Sequence, residues 1–295
     1  MRLTTFSVPD DPAPHWGFLD GSPDDGEVVD VSLLDGPYPP SVADLVGLDP
    51  PDRDAVLDRL RGAARASATR RLTDVTLLAP IAPRRNVFAV GANYRSHVAE
   101  SAHSTGDPDR PIFFTKATTT VTGPGAVRVD PGLTSRVDWE VELAVVLGAG
   151  GRDLDRDAVF GYLVANDLSA RDQQHDRPEG QWFLGKSLDG FCPLGPWLVT
   201  ADEVADPQGL TLRLSVNGTV KQEADTAGMI FPVGELITEL SRFVTLHPGD
   251  ILLTGTPAGV GDARNPPEYL WPGDEVVAEV DGLGRLVNQI VEVGP

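Results

Sequence analysis

Short apolar runs separated by Gly, Pro and Asp dominate the chain from residue 86 onward. Residues 87–90, 112–115, 143–147, 210–216 and 251–253 are such runs. Runs of this length, bounded by turn formers, read as strands. Many short strands with few long helices predict a β-rich α+β fold. The first 78 residues are punctuated differently. There the run Gly26-Glu27-Val28-Val29-Asp30-Val31 reads as an edge strand or hairpin, while Val56, Leu57, Leu60 and Ala64 sit at helical spacing within residues 54–66. The stretch Ala79-Pro80-Ile81-Ala82-Pro83 reads as a linker. The expected organisation is a small N-terminal domain over 1–78 and a larger domain over 79–295.

One apolar run is interrupted by acids. In Asp138-Trp139-Glu140-Val141-Glu142-Leu143, a strand would turn Asp138, Glu140 and Glu142 to one face and Val137, Trp139, Val141 and Leu143 to the other. Carboxylates ~7 Å apart along one strand face repel unless they are solvated or bridged by a cation. A hard divalent cation is the natural bridge; an edge strand with a wet acidic face is the other possibility. Asp167 ends a further apolar run, 162–167, just before a helix-like stretch at 169–174. Its place at a strand end suits a site, and equally suits a helix cap. His97 and Glu100 lie three residues apart, one face of a helix, so the imidazole and carboxylate can meet. Such a pair can act as a general base or be a surface ion pair.

Composition narrows the classes. Hydrophobic residues make up 41% and charged residues 23%, ordinary values for a globular protein with a sizeable core. No apolar run reaches the ~18–20 residues that cross a bilayer, and residues 1–10 do not read as a signal peptide, so no membrane association and a cytoplasmic location are expected. A net charge of −20 argues against nucleic acid as a partner. The same charge means that an anionic substrate needs a local cation. Lysine is scarce: Lys116, Lys186 and Lys221 stand against 21 arginines. A lysine kept in that background suggests a task for a compact ammonium, although Lys221, just after the turn at Asn217-Gly218, reads equally as chance. Cys192 is the single cysteine and is expected to be buried packing. The Gly-rich segments 148–151 and 254–261 lack the nucleotide-binding patterns and read as turns.

Taken together, these pieces resemble the fumarylacetoacetate hydrolase superfamily. The resemblance rests on Asn93-Tyr94-x-x-His97-x-x-Glu100 and Asp138-x-Glu140-x-Glu142-Leu143. It extends through Asn166-Asp167-x-x-Ala170-Arg171-Asp172, Gly185-Lys186-Ser187 with Cys192-Pro193-Leu194-Gly195-Pro196, and Gly249-Asp250 with Thr254-Gly255-Thr256-Pro257-x-Gly259-Val260-Gly261. Val216-Asn217-Gly218 and Met229-Ile230-Phe231 fit as well. The likeness covers residues 80–295, and residues 1–78 look like the family's small N-terminal region.

The resemblance implies a mixed β-roll core with short flanking helices, usually paired as a homodimer. It implies one Mg²⁺ or Mn²⁺, with Ca²⁺ also known in the family, on Glu140, Glu142 and Asp167. His97 and Glu100 would form a water-activating dyad on a segment that often acts as a lid, with Lys186 as a further catalytic residue. Gln174, Thr256, Arg171 and Lys116 would surround the substrate. One departure stands out: Val90 occupies the position of a fourth metal-binding acid in the founding hydrolase, which places this chain in a three-carboxylate branch. The expected activity is metal-dependent hydrolysis of a C–C bond in a 2,4-diketo acid through a metal-stabilised enolate. Decarboxylation of oxaloacetate, or isomerisation or hydration of an unsaturated 2-keto acid, would use the same site. A metal-stabilised scaffold or binding protein is the non-enzymatic alternative.

Overall fold

The computed structural model describes all residues except 24–25, 64–67, 102–105, 179 and 294–295. Strands dominate it, and the helices are short. The large sheet runs in the order Thr69–Arg71, Glu27–Asp30, Asp11–Asp20, Arg2–Val8, Cys192–Thr200, Val159–Asn166, Val141–Leu147, Ile251–Leu253, Val87–Gly91 and Ile112–Lys116. Most neighbours are antiparallel; Ile251–Leu253 pairs parallel with Val87–Gly91. A five-stranded sheet packs against it, ordered Thr219–Asp225, Thr211–Val216, Glu275–Val280, Gly284–Glu292 and Gly125–Val129.

The strand Val141–Leu147 is buried along its whole length, which explains its near-continuous apolar run. Val141, Leu143, Val145 and Leu147 pack into the core between the two sheets. Ala144 and Val146 face a second core, shared with Leu3, Trp16, Phe18, Leu45 and Leu60 of the N-terminal segment. Residues on both sides of the 79–83 stretch therefore share one core. The hydrogen bonds cross it too, since Arg2–Val8 pairs antiparallel with Cys192–Thr200.

Each apolar run expected to be a strand is one. The hairpin between Thr211–Val216 and Thr219–Asp225 turns at Asn217 (φ 49°) and Gly218 (φ 74°). Two left-handed residues in succession are what a tight hairpin needs, and Asn-Gly supplies them with the least strain. The helix expected over 54–66 begins earlier, at Pro50, and ends earlier, at Gly62, with Ala63 extended as its C-cap. Proline lacks an amide hydrogen, which a first helical turn does not use. Ala64 and the end of the expected helix lie outside the described residues.

Candidate active site

The acidic segment is not one continuous strand. Val137–Asp138 pairs with Ser169–Ala170, while Val141–Leu147 pairs with Val159–Asn166. Between them the ladder is replaced by side-chain acceptors. The Trp139 amide donates to the carboxylate of Asp138 (2.8 Å), and the Glu140 amide donates to Asn166 Oδ1 (2.9 Å). Glu140 therefore sits in a break, and the simple alternation expected for 138–142 does not hold there. The wet acidic face is ruled out, because Asp138, Glu140, Glu142 and Asp167 are all at most 5% exposed.

Burying four carboxylates requires partners. Asp138 takes the Arg171 guanidinium on Oδ2, with Nε at 2.8 Å and Nη2 at 2.7 Å, and the amides of Gly261 (2.6 Å) and Asp262 (3.0 Å). Glu140 accepts from Arg171 Nη2 on one oxygen and from Lys186 Nζ on the other, both at 2.7 Å. Asp167 accepts from Lys186 Nζ at 2.8 Å on Oδ2 and from Lys116 Nζ on Oδ1. It caps no helix; the helix Arg171–His175 starts after Ala170. Glu142 accepts only the Gly255 amide, at 2.6 Å, among the described residues.

Titration follows this division of partners. Burial pushes the Glu140 carboxyl up, but Lys186 and Arg171 outweigh it and hold the group down to about 2. Glu142 goes the other way. Burial, then the charges of Asp167 and Glu140, push it well above the ordinary carboxylate range. Lys186 is buried, which disfavours its charge, yet Asp167 and Glu140 raise it above an ordinary lysine.

Local sequence explains the precision. Gly255 has φ 96°, and a Cβ there would lie 2.8 Å from Asn93 Cβ, so glycine alone lets its amide reach Glu142. Gly185 lets the helix Trp182–Lys186 approach Arg171–His175, since a Cβ would lie 2.6 Å from that of Gln174. That contact brings Lys186 to the carboxylates.

A cavity of about 750 Å³ opens over this cluster. Glu140, Glu142, Arg171, Gln174, Lys186 and Thr256 line it. His97 and Glu100 line it too, on the helix Arg95–Glu100. His97 Nδ1 lies 2.9 Å from Glu100 Oε1, and Glu100 Oε2 accepts the Gly259 amide at 2.8 Å. The pair is thus a wall of the cavity and not a solvated surface bridge. Lys116 is on Asp167 and the carbonyl of Leu168, and neither Lys116 nor Asp167 is among the lining residues. Thr256 Oγ1 donates to the carbonyl of Val141 (2.9 Å) and accepts from Gln222 Nε2 (2.8 Å), so its hydroxyl is already committed. Cys192 is buried, as expected, and burial pushes its thiol up to about 12.

The oxygens of Glu140, Glu142 and Asp167 lie within 4.8 Å of one another. They form a hard, all-oxygen set, with Glu142 on the strand Val141–Leu147, Glu140 in the break before it and Asp167 just past the end of Val159–Asn166, and Glu142 has no cationic partner among the described residues. These residues fit a divalent ion such as Mg²⁺, Mn²⁺ or Ca²⁺.

A family model, fumarylacetoacetate (FAA) hydrolase C-terminal, matches residues 86–291. The chain belongs to the fumarylacetoacetate hydrolase family. It is an enzyme of that family and has its β-rich fold. It is 43% identical to the Bos taurus protein named oxaloacetate tautomerase FAHD2A, mitochondrial, over 99% of this chain and 92% of that one. Among solved structures, a putative HpcE protein from Mycobacterium smegmatis is 39% identical with a TM-score of 0.85, covering all of both chains. Fumarylacetoacetate hydrolase from Exiguobacterium antarcticum is 36% identical with a TM-score of 0.81, over 99% of this chain and all of that one.

Two residues of this site carry no motif in the sequence. Gln222 accepts the Val141 amide and donates to Thr256 Oγ1 and the carbonyl of Pro257, tying the acidic strand to the loop that follows Ile251–Leu253. Only the strand register shows that a polar residue there is buried. Arg264 lines the cavity from a loop whose course no periodicity marks.

Proposed function

We propose that this enzyme interconverts the keto and enol forms of a small 2-keto dicarboxylic acid of the oxaloacetate type, with Mg²⁺ or Mn²⁺ held by Glu140, Glu142 and Asp167. The observation that carries the reading is the His97–Glu100 pair on the wall of the cavity that Glu140 and Glu142 also line. The 43% likeness to a protein named as an oxaloacetate tautomerase supports the choice of reaction. When bound, the ion would act as a Lewis acid that makes the carbon beside the keto group more acidic.

The chain's own residues then have only a proton to move. Glu100 engages His97 Nδ1, which leaves Nε2 as the nitrogen for the substrate. His97 takes the proton from that carbon and, as the imidazolium, gives a proton back to the keto oxygen, which completes the enol and regenerates the neutral imidazole; the reverse path returns the ketone. No bond between heavy atoms breaks, and no water is consumed. Lys186 offsets the carboxylate charge that would otherwise repel an anionic substrate. Gln174 Oε1 accepts from Arg171 Nη1 at 3.0 Å, which fixes the amide and leaves its NH₂ to donate to a substrate oxygen.

This reading places proton transfer ahead of the C–C hydrolysis that the sequence ranks first, because the dyad suffices for it without an attacking water. The test is to add enol-oxaloacetate to the Mg²⁺-loaded enzyme, following enol absorbance and products by NMR. Faster equilibration with oxaloacetate conserved is the expected result. Stoichiometric pyruvate would indicate a decarboxylase. Cleavage of acylpyruvates, with no effect on the enol, would indicate a hydrolase.

A further inference from the structure

The cations at the carboxylate end of the cavity are committed. Lys186 donates to Glu140 and Asp167, and Arg171 distributes its donors over Asp138, Glu140 and Gln174. A dianion held there by its keto-acid end would have its second carboxylate without a partner in a protein of net charge −20. The rest of the cavity wall offers one guanidinium in a different state.

Arg264 gives its hydrogen bonds to neutral groups. Its Nη2 donates to the carbonyls of Lys221 (2.9 Å) and Gly259 (3.4 Å), and the guanidinium lies 5.8 Å from the ring centroid of Trp139. Its one ion pair among the described residues is long: Glu268 Oε1 lies 3.9 Å from Nη1, while Lys221 engages Oε2 of the same carboxylate. Arg264 Nε is shielded and has no hydrogen-bond partner among the described residues. A charged fork with an unspent donor beside a cavity is unusual, because buried donors are nearly always satisfied.

The loop carrying Arg264 is fixed to the catalytic cluster. Gly261 and Asp262 give their amides to Asp138, while Arg264 N and Glu268 N both return to the carbonyl of Gly261. A Cβ on Gly261 would fall 2.0 Å from the Glu268 carbonyl oxygen, so this closure needs glycine. Arg264 is therefore placed at a set position relative to Arg171 and Glu140, through Asp138.

We infer that Arg264 selects dicarboxylic substrates, pairing with the carboxylate distal to the keto-acid end. The inference rests on the keto-acid reading above. A planar guanidinium pairs with a carboxylate through two parallel hydrogen bonds, which a neutral ester cannot match. Without a ligand, Arg264 Nη2 rests on backbone carbonyls; with one, Nη1 gains an acceptor, and a turn of the side chain out of its shielded position brings Nε to the second carboxylate oxygen.

The experiment compares oxaloacetate with its 4-methyl ester on wild type, Arg264→Gln and Arg264→Lys, using full-length Mg²⁺-loaded protein whose folding is checked by circular dichroism. In Arg264→Gln, the ratio of kcat/KM for diacid over ester should fall ~10–100-fold, as for loss of a charge-assisted hydrogen bond, with most of the change in KM. Arg264→Lys should keep part of the preference, since it keeps the charge but loses the fork. An unchanged ratio, with both substrates slowed alike, would give Arg264 a purely structural role and overturn the inference. Calorimetric titration with malate and malate 4-methyl ester reads the same contact without turnover. A wild-type preference for the diacid that Arg264→Gln abolishes supports the inference even if oxaloacetate is not turned over, in which case only the proposed reaction fails. Equal binding of malate and its ester by wild type, or binding of neither, would overturn it.

Discussion

His97 and Glu142 stand for two kinds of work, and substitutions separate them. Glu142 contributes an oxygen to the carboxylate triad and has no cationic partner among the described residues. Glu142→Gln should lower Mn²⁺ affinity at least ~10²-fold, more than loss of a supporting partner typically costs. The circular dichroism spectrum should be unchanged, because the amide is isosteric and removes a buried charge. Titration followed by electron paramagnetic resonance would measure the loss. His97 touches none of the three carboxylates directly. His97→Ala should leave Mn²⁺ affinity within about twofold while slowing the proposed tautomerisation ~10²–10⁴-fold, the usual scale for a lost general base. Equal loss of metal and activity in His97→Ala would show that the imidazole organises the triad and does not move protons. The spacing of acids and His97 along the chain is legible because strand and helix periods bring such positions together. Gln222 and Arg264 were not legible, because their significance depends on which backbone groups lie across from them.

The loop 259–268 and the helix Arg171–His175 each hold a functional group in place, and each has a single residue on which that depends. Gly261→Ala would force a methyl against the Glu268 carbonyl and within 2.8 Å of Asp138 Oδ1. Overpacking at such a site costs roughly 1–3 kcal/mol. Chemical denaturation should show that loss, accompanied by weaker Mn²⁺ binding, because Asp138 would release Arg171. Asp172 ties the start of the helix to residues 134–135. Its carboxylate accepts from Thr134 Oγ1 (2.6 Å), the Ser135 amide (2.9 Å) and the Gln173 amide (2.9 Å). Burial raises its pKa, but these donors outweigh burial and hold it below 3.8. A group whose folded pKa is depressed stabilises fully above its unfolded value, and the benefit is lost as pH falls from there through the folded value. Asp172→Asn should therefore melt lower than wild type at pH 7, and the two curves should converge below about pH 4; a gap that persists at low pH would trace the effect to packing. At this scale the sequence was readable wherever an element was continuous. It misled at Trp139–Glu140, where side chains of Asp138 and Asn166 take over backbone hydrogen bonds and break the strand.

The whole molecule leaves apolar groups uncovered. Trp182, Phe183, Leu184 and Ile112 are exposed at 38%, 51%, 42% and 45%, and Trp182 and Ile112 line the cavity. Exposed aromatic and aliphatic groups clustered in this way mark contact surfaces. We expect a homodimer, with light scattering giving twice 31.4 kDa at micromolar concentration; a stable monomer there would exclude it. No helix among the described residues is long and apolar enough to cross a membrane. The sheet order has a further consequence for how the protein is made. The strand Val141–Leu147 waits for Ile251–Leu253 before its second edge is paired, and Arg2–Val8 waits for Cys192–Thr200. At roughly 5–20 residues per second, a ribosome leaves the acid-bearing strand with an open edge for on the order of 5–20 s. During that interval the nascent chain presents an apolar strand edge, and Glu142 on it still lacks the Gly255 amide. A ribosome stalled at residue 250 should hold a chain that proteases still cut within 141–147, and extension far enough to bring 251–253 out of the exit tunnel should close that window.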